Sequence, residues 1–155
     1  MAFALVLALT LNGMLAGMTV DQSVKQLPAR KRIGAAAFSR YSRAADLQNG
    51  VPLYAFFGLG APASCLWLAI VTVQQFGWNA SAAMAALASV LFSLGQLTIT
   101  AFAAPTDFSQ LRHALSEEAA LARIFDRFDA LQTYRSICIL LAFASVLWSE
   151  ASDGL

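Results

Sequence analysis

From Leu47 to Thr106 the chain runs for sixty residues without an Asp, Glu, Lys or Arg. A soluble domain spreads about 25% charge over its length. A gap this long needs surroundings with no water to face. At about 1.5 Å of rise per residue, a hydrocarbon core of about 30 Å takes about twenty helical residues. Sixty positions therefore supply two crossings and a tight turn, and helices are the segments that satisfy their own backbone in lipid. We place these crossings at 51–73 and 81–103, with the turn at 74–79.

Two further apolar runs flank this stretch. Residues 1–20 carry no charge, enough to cross once. A cleaved signal peptide would begin with a basic segment; nothing basic precedes this run, so a retained span is expected. The fourth span is placed at 130–149, with Arg135 reaching back to the boundary along its own aliphatic stem. Over all 155 residues the charged share is 12% and the hydrophobic share 59%. Length and pattern together predict one membrane domain, an all-α integral membrane four-helix bundle with amphipathic inner-side helices.

Sidedness follows from the basic residues. Lys25, Arg30, Lys31, Arg32, Arg40 and Arg43 fall between spans one and two, and Arg112, Arg123, Arg127 and Arg135 in or beside the connection between spans three and four. Positive charge marks the cytoplasmic side of short loops. The connectors 21–50 and 104–129 are therefore expected in the cytoplasm and both termini outside, with Glu150 and Asp153. Trp78 and Trp148 would mark the outer boundary, Tyr54 and Tyr134 the inner one. A net charge of +1 gives no basic excess of the kind that binds nucleic acid. The expected surroundings are membrane lipids, with a lipophilic small molecule, a second copy or another membrane protein as candidate partners.

Local signals refine the picture. Asp21 and Lys25 are spaced as an i, i+4 pair, so the first helix should continue past Val20 until Pro28 ends or turns it. Residues 35–46 read as a surface helix with Phe38, Tyr41 and Ala45 on one face. Pro62 should kink the second span, a defect that membrane helices tolerate. Asn79 is expected to cap the third span, and Pro105-Thr106-Asp107 to close it. Leu121, Ile124, Phe125, Phe128 and Leu131 recur at helical spacing, predicting an amphipathic lead-in to the fourth span. Gly13 and Gly17 form the G-x-x-x-G spacing that lets another helix approach.

Chemistry-bearing residues are few. Cys65 and Cys138 fall at different depths, too far apart for a disulfide's Cα separation of about 7 Å or less. His113 is the only histidine, so neither a bis-histidine haem nor a bundle di-metal site is expected; no metal and no cofactor are implied. No phosphate-loop, zinc-protease or serine-hydrolase motif occurs. No charged residue falls at mid-span, which disfavours ion-driven transport. Polar residues instead converge at the inner ends of the spans: Asp21, Gln22, Asp46, Gln48, Asn49, Gln96 and Arg135. Their depths permit a pocket that is apolar above and polar below, or a set of polar groups that merely satisfy helix ends and one another. Asn12 is a further buried amide in the first span.

Three segments (12–34, 41–50 and 121–136, the last reading LARIFDRFDALQTYRS) resemble the anthrone-oxygenase-like family of small four-span membrane proteins. The resemblance covers most of the chain and lies in its layout. It implies a four-span fold and a lipophilic aromatic substrate oxidised without an obvious cofactor; it brings no catalytic residue set. A second resemblance is to the membrane glutathione transferases, whose second span opens with Arg-Ala-x-x-Asn-x-x-Glu. Here Arg43-Ala44 is followed by Leu47 and Gly50 at the Asn and Glu positions, which leaves glutathione without its glutamate.

Three functional readings therefore stand. In the first, an oxygenase uses Asp21 or Asp46 as the base, with Asn12, Asn49, Gln96 and Arg135 holding the substrate. In the second, the chain is a non-enzymatic accessory or interaction subunit of a membrane complex. In the third, it is a glutathione-transferase-like protein.

Overall fold

The computed structural model describes residues 1–152, so Asp153 lies outside the described residues. Four helical rods, Ala2–Ile33, Ala35–Phe76, Ser81–Arg112 and Glu118–Ala151, are each long and apolar enough to cross a membrane. No strand occurs among the described residues. The chain is a multi-pass, all-α four-helix bundle.

Each rod is longer than the span within it. The first is built from α1 (Ala2–Asp21), a π turn (Gln22–Gln26) and α2 (Leu27–Ile33). Pro28 does not end it. A proline ring collides with the carbonyl four residues back. Here the widened turn comes just before Pro28, and Leu27 N–H bonds to the Gln22 carbonyl, five residues back. The rod stops at Gly34, whose φ of 85° is a conformation that only glycine adopts without strain.

The second rod joins α3 (Ala35–Ala44), a π turn (Ala45–Gly50) and α4 (Val51–Phe76). The expected surface helix is therefore continuous with the span. Its buried face is Phe38, Ser39 and Ser42, while Tyr41 is exposed. Phe38 is drawn to one side by the Phe125 ring, edge-on at 5.0 Å. That contact rotates the Tyr41 side of the helix away from the protein.

The third rod comprises α5 (Ser81–Phe108) and a 3-10 turn (Ser109–Arg112). Pro105 lies inside α5 and does not close it. The N-cap is Ala80 rather than Asn79, and no side chain caps the helix. Gly77, at φ 83°, ends α4 instead. The reversal is then so short that Asn79 is left in the turn, exposed to the surroundings. The fourth rod, α6 (Glu118–Ala151), is one helix from the amphipathic lead-in to the end of the span. Leu121, Phe125 and Phe128 are its buried stripe there, as the spacing predicts.

Three apolar clusters stack along the bundle. Ala4, Ala8, Cys65, Leu68, Ala69, Ala86 and Val146 pack at the end that carries the termini. Leu15, Ala16, Phe57, Ala61 and Ile139 fill the middle. Leu27, Phe38, Ala103, Leu121, Phe125 and Phe128 fill the end that carries the connectors. Both cysteines are free; Cys65 is fully buried and accepts a hydrogen bond from the Ser93 hydroxyl at 3.4 Å.

Candidate functional site: an apolar cleft with a polar end

Between the middle and connector-end clusters the rods part around a cleft of about 310 Å³, lined from every rod but chiefly by α4 and α5. That volume is within the range for a small-molecule site. Most of the wall is apolar, with Val51, Leu59, Leu97, Ala104, Phe108 and Phe128 among its residues. The polar end gathers Asp46, Tyr54, Asp107 and Arg135.

The local sequence explains the opening. Pro62 has no N–H, so the Gly58 carbonyl four residues earlier loses its helical donor. Gly58 also has no side chain, and space is open where its Cβ would stand. The wall recedes there, and the Gln96 amide supplies the missing donor, Nε2 to Gly58 O at 3.0 Å. Gln96 is therefore occupied in mending α4 and stands behind the cleft rather than in it. At the polar end, the π turn before α4 brings Asp46 and Leu47 onto the wall.

Arg135 is the least expected group in such a place. Its residue is only 9% exposed. Nη1 donates to Gln132 Oε1 at 3.2 Å, and buried Nε has no partner. Among the described residues no carboxylate comes within 4.0 Å of it. Gln132 is held in turn by the first rod, Nε2 donating to Thr19 Oγ1 at 3.0 Å. Ser136 adds a second tie across the same interface, to Ser23 at 2.9 Å. The guanidinium is thus fixed from behind and left open in front. A buried cation without an ionic partner is costly in apolar surroundings.

Asp107 faces the cleft from α5. It accepts from Gln110 Nε2 at 2.8 Å. Gln110 is fully buried, accepts from Ser39 Oγ at 2.9 Å and donates to Ser42 Oγ at 3.3 Å. Arg43 straps the same corner. Its Nε donates to Ser39 Oγ at 3.0 Å, and Nη2 donates to the carbonyls of Gln110 and, at 2.7 Å, His113.

Of the six candidates drawn from the sequence, Asp46 and Arg135 line the cleft. The other four do not. Asp21 is on the outside of the first rod, paired with Lys25 and accepting from Gln26 Nε2 at 2.7 Å. Asn49 is exposed on the π turn. Asn12 is buried between the first two rods, donating to Ala8 O at 2.9 Å beside Ser64 and Cys65. Gln96 serves Gly58, as described.

Asp107 and Tyr54 are cleft residues that the linear pattern marks only as span boundaries. Asp107 nonetheless carries a signal in the sequence. Asp46 is the last charge before the sixty-residue gap and Asp107 the first after it. They stand 31 and 30 residues from the turn glycine Gly77 (77 − 46 and 107 − 77). Antiparallel rods joined there must bring the two to the same level.

His113 is apart from this site, hydrogen-bonded to Glu117 at 3.0 Å near the start of α6. That bond, and the Ala114 N–H behind it, hold the exposed Glu117 carboxyl below its usual range. Among the described residues no group of three His, Cys, Asp or Glu side chains is placed to hold a metal ion. No family model matches the chain, and neither a curated protein nor a solved structure matches it.

Proposed function

We propose that the cleft binds a lipophilic aromatic molecule bearing carbonyl and hydroxyl groups, and that the protein is a cofactor-independent oxygenase of the anthrone-oxidising kind. The observation that carries this reading is Arg135, a buried cation on the cleft wall that has one side-chain hydrogen bond, to Gln132, and no carboxylate within 4.0 Å among the described residues. Tyr54 lies at the same end of an otherwise apolar cleft, as do the acceptors Asp46 and Asp107. A ligand that suits this end accepts from Arg135 and donates to a carboxylate, while its body fills the apolar wall. A hydroxylated aromatic ketone does all three.

The chemistry follows from the same groups. The half-buried Asp46 accepts a proton from the activated methylene of the substrate. Arg135 holds the oxygen on which the enolate charge gathers. The carbanion adds dioxygen, the proton returns to the resulting peroxide, and loss of water leaves a ketone. One dioxygen is consumed, with one oxygen atom in the product and one in water.

The sidedness of the connectors belongs with this proposal. Their nine basic residues favour the cytoplasmic face for the connector end, and so for the polar end of the cleft.

The test is oxygen uptake by the purified protein with anthrone as the probe. The expected result is one dioxygen per anthraquinone formed, with activity lost in Asp46→Asn. Affinity should fall about tenfold or more in Arg135→Gln, the loss of a charge-assisted hydrogen bond. Full turnover by Asp46→Asn, or none by the unaltered protein, would remove the oxygenase reading.

A further inference from the structure

The way into the cleft is a separate question from what happens there. Three of its sides are shut. Toward the connectors, Phe128 of the wall belongs to the cluster that packs Phe38 on Phe125. Arg43 ties α3 across the end of α5 at that corner, over the fully buried Gln110. Toward the termini, Gln96 bridges α5 to α4 at Gly58, directly beside the buried Phe57 and Ala61. Behind, the Thr19–Gln132 and Ser23–Ser136 bonds close the first rod on α6.

The fourth side is the seam between α4 and α5, and its rim is greasy. Leu59 and Phe108, both on the cleft wall, are 64% and 41% exposed. Phe56 on α4 and Leu94 on α5 are also exposed. Charged groups are absent from this side over the whole length of the gap from Leu47 to Thr106. In a four-span protein such a flank lies against lipid tails.

We infer that the cleft opens sideways into the bilayer, and that its ligand is an uncharged lipophile already dissolved in the leaflet, entering between α4 and α5 rather than from water. The polar end then meets the incoming molecule at the depth where a membrane-dissolved phenol or ketone carries its own polar groups. Nothing in this route requires the connectors to move. The kind of ligand rests on the binding reading above; the route itself is tested without any substrate.

The test uses fluorescence quenching. Trp67, Trp78 and Trp148 are replaced by Phe, and one tryptophan is introduced by Phe128→Trp at the back of the cleft, where the native side chain is 7% exposed. The protein is reconstituted in phospholipid brominated along its acyl chains, and separately exposed to aqueous iodide. The expected result is loss of about half of the emission to brominated lipid, because an acyl chain fills the vacant cleft from the side, and none to iodide. Quenching by iodide, or by neither reagent, would overturn the route. If Phe128→Trp does not fold, Ala104→Trp on the opposite wall gives the same readout. Lipid quenching without turnover of anthrone would sink the oxygenase and leave the route standing; turnover with quenching by iodide alone would do the reverse.

Discussion

At the end that carries the termini, Ala4, Ala8, Ala69 and Ala86 set helix backbones side by side, with Leu68 and Val146 filling what space remains. At the connector end, Phe38, Phe125 and Phe128 hold the rods apart, and polar residues fasten the corners. The same four rods therefore close tightly at one end and part around a cleft just short of the other. Membrane helices have no hydrophobic drive to associate, so close backbone approach over small residues is what binds the first end. The second end is held by ties of larger side chains, and ties leave gaps. A cleft can persist there because Arg43, Gln110 and Gln132 carry the load that packing carries elsewhere.

Substitutions can break this contrast, the strongest at the tight end. Leu68→Ala should cost about 2–5 kcal/mol, because a fully buried side chain leaves a cavity that close-packed neighbours cannot fill. Leu97→Ala, on the cleft wall, should cost under about 1 kcal/mol, because the space beside it is already open. Thermal unfolding in detergent micelles measures both; equal costs would mean the two ends pack alike.

The opposite change is the next largest. Ala86→Leu should destabilise by about 1–3 kcal/mol through overpacking, since Ala86 is fully buried between helices. Ala104→Leu should stay within about 0.5 kcal/mol, as it fills vacant space. It should also weaken any ligand that the cleft holds, which a binding isotherm would register.

Gln96→Leu probes the junction between the regions. It leaves the Gly58 carbonyl without a donor and should cost about 1–2 kcal/mol. In a Pro62→Ala background the cost should shrink, because alanine restores the helical N–H that the Gly58 carbonyl lacks. A cost unchanged by Pro62→Ala would separate Gln96 from the donor that Pro62 lacks.

The smallest effect lies outside both regions. Glu117 has a folded pKa below its ordinary 4.5, so its contribution is complete above that value and fades as pH falls through the folded one. Glu117→Gln should lower the melting temperature slightly at about pH 6 and leave it unchanged at about pH 2.

Much of the fold is legible in the order of residues. The charge gap dictates two crossings and a turn, and the stripe of Leu121, Phe125 and Phe128 dictates the lead-in. Pro28 and Pro105 mislead because a proline's effect depends on the turn around it. Pro28 sits behind a π turn that makes room for its ring, and Pro105 lies inside α5 without closing it. Half of the polar end is legible in Asp46 and Arg135. Its partner Asp107 lies in the symmetry of the chain about Gly77, where span-by-span reading does not look. Asn12 and Gln96 show the reverse error. A buried amide advertises polarity in a sequence, but both spend their donors on backbone carbonyls that only the packed neighbour reveals.

By itself, the sequence determined how many apolar rods the chain forms, that a tight turn joins the second and third, and that the connectors share one end. These follow from charge and periodicity, which act over a few residues and leave their mark in order along the chain. Tertiary structure alone decided that the rods part beneath Gly58, that Arg135 lines a cleft without an ionic partner, and that Gln96 is spent on the Gly58 carbonyl. Each of those depends on which side chains from different rods arrive at the same point, and no local pattern records that meeting.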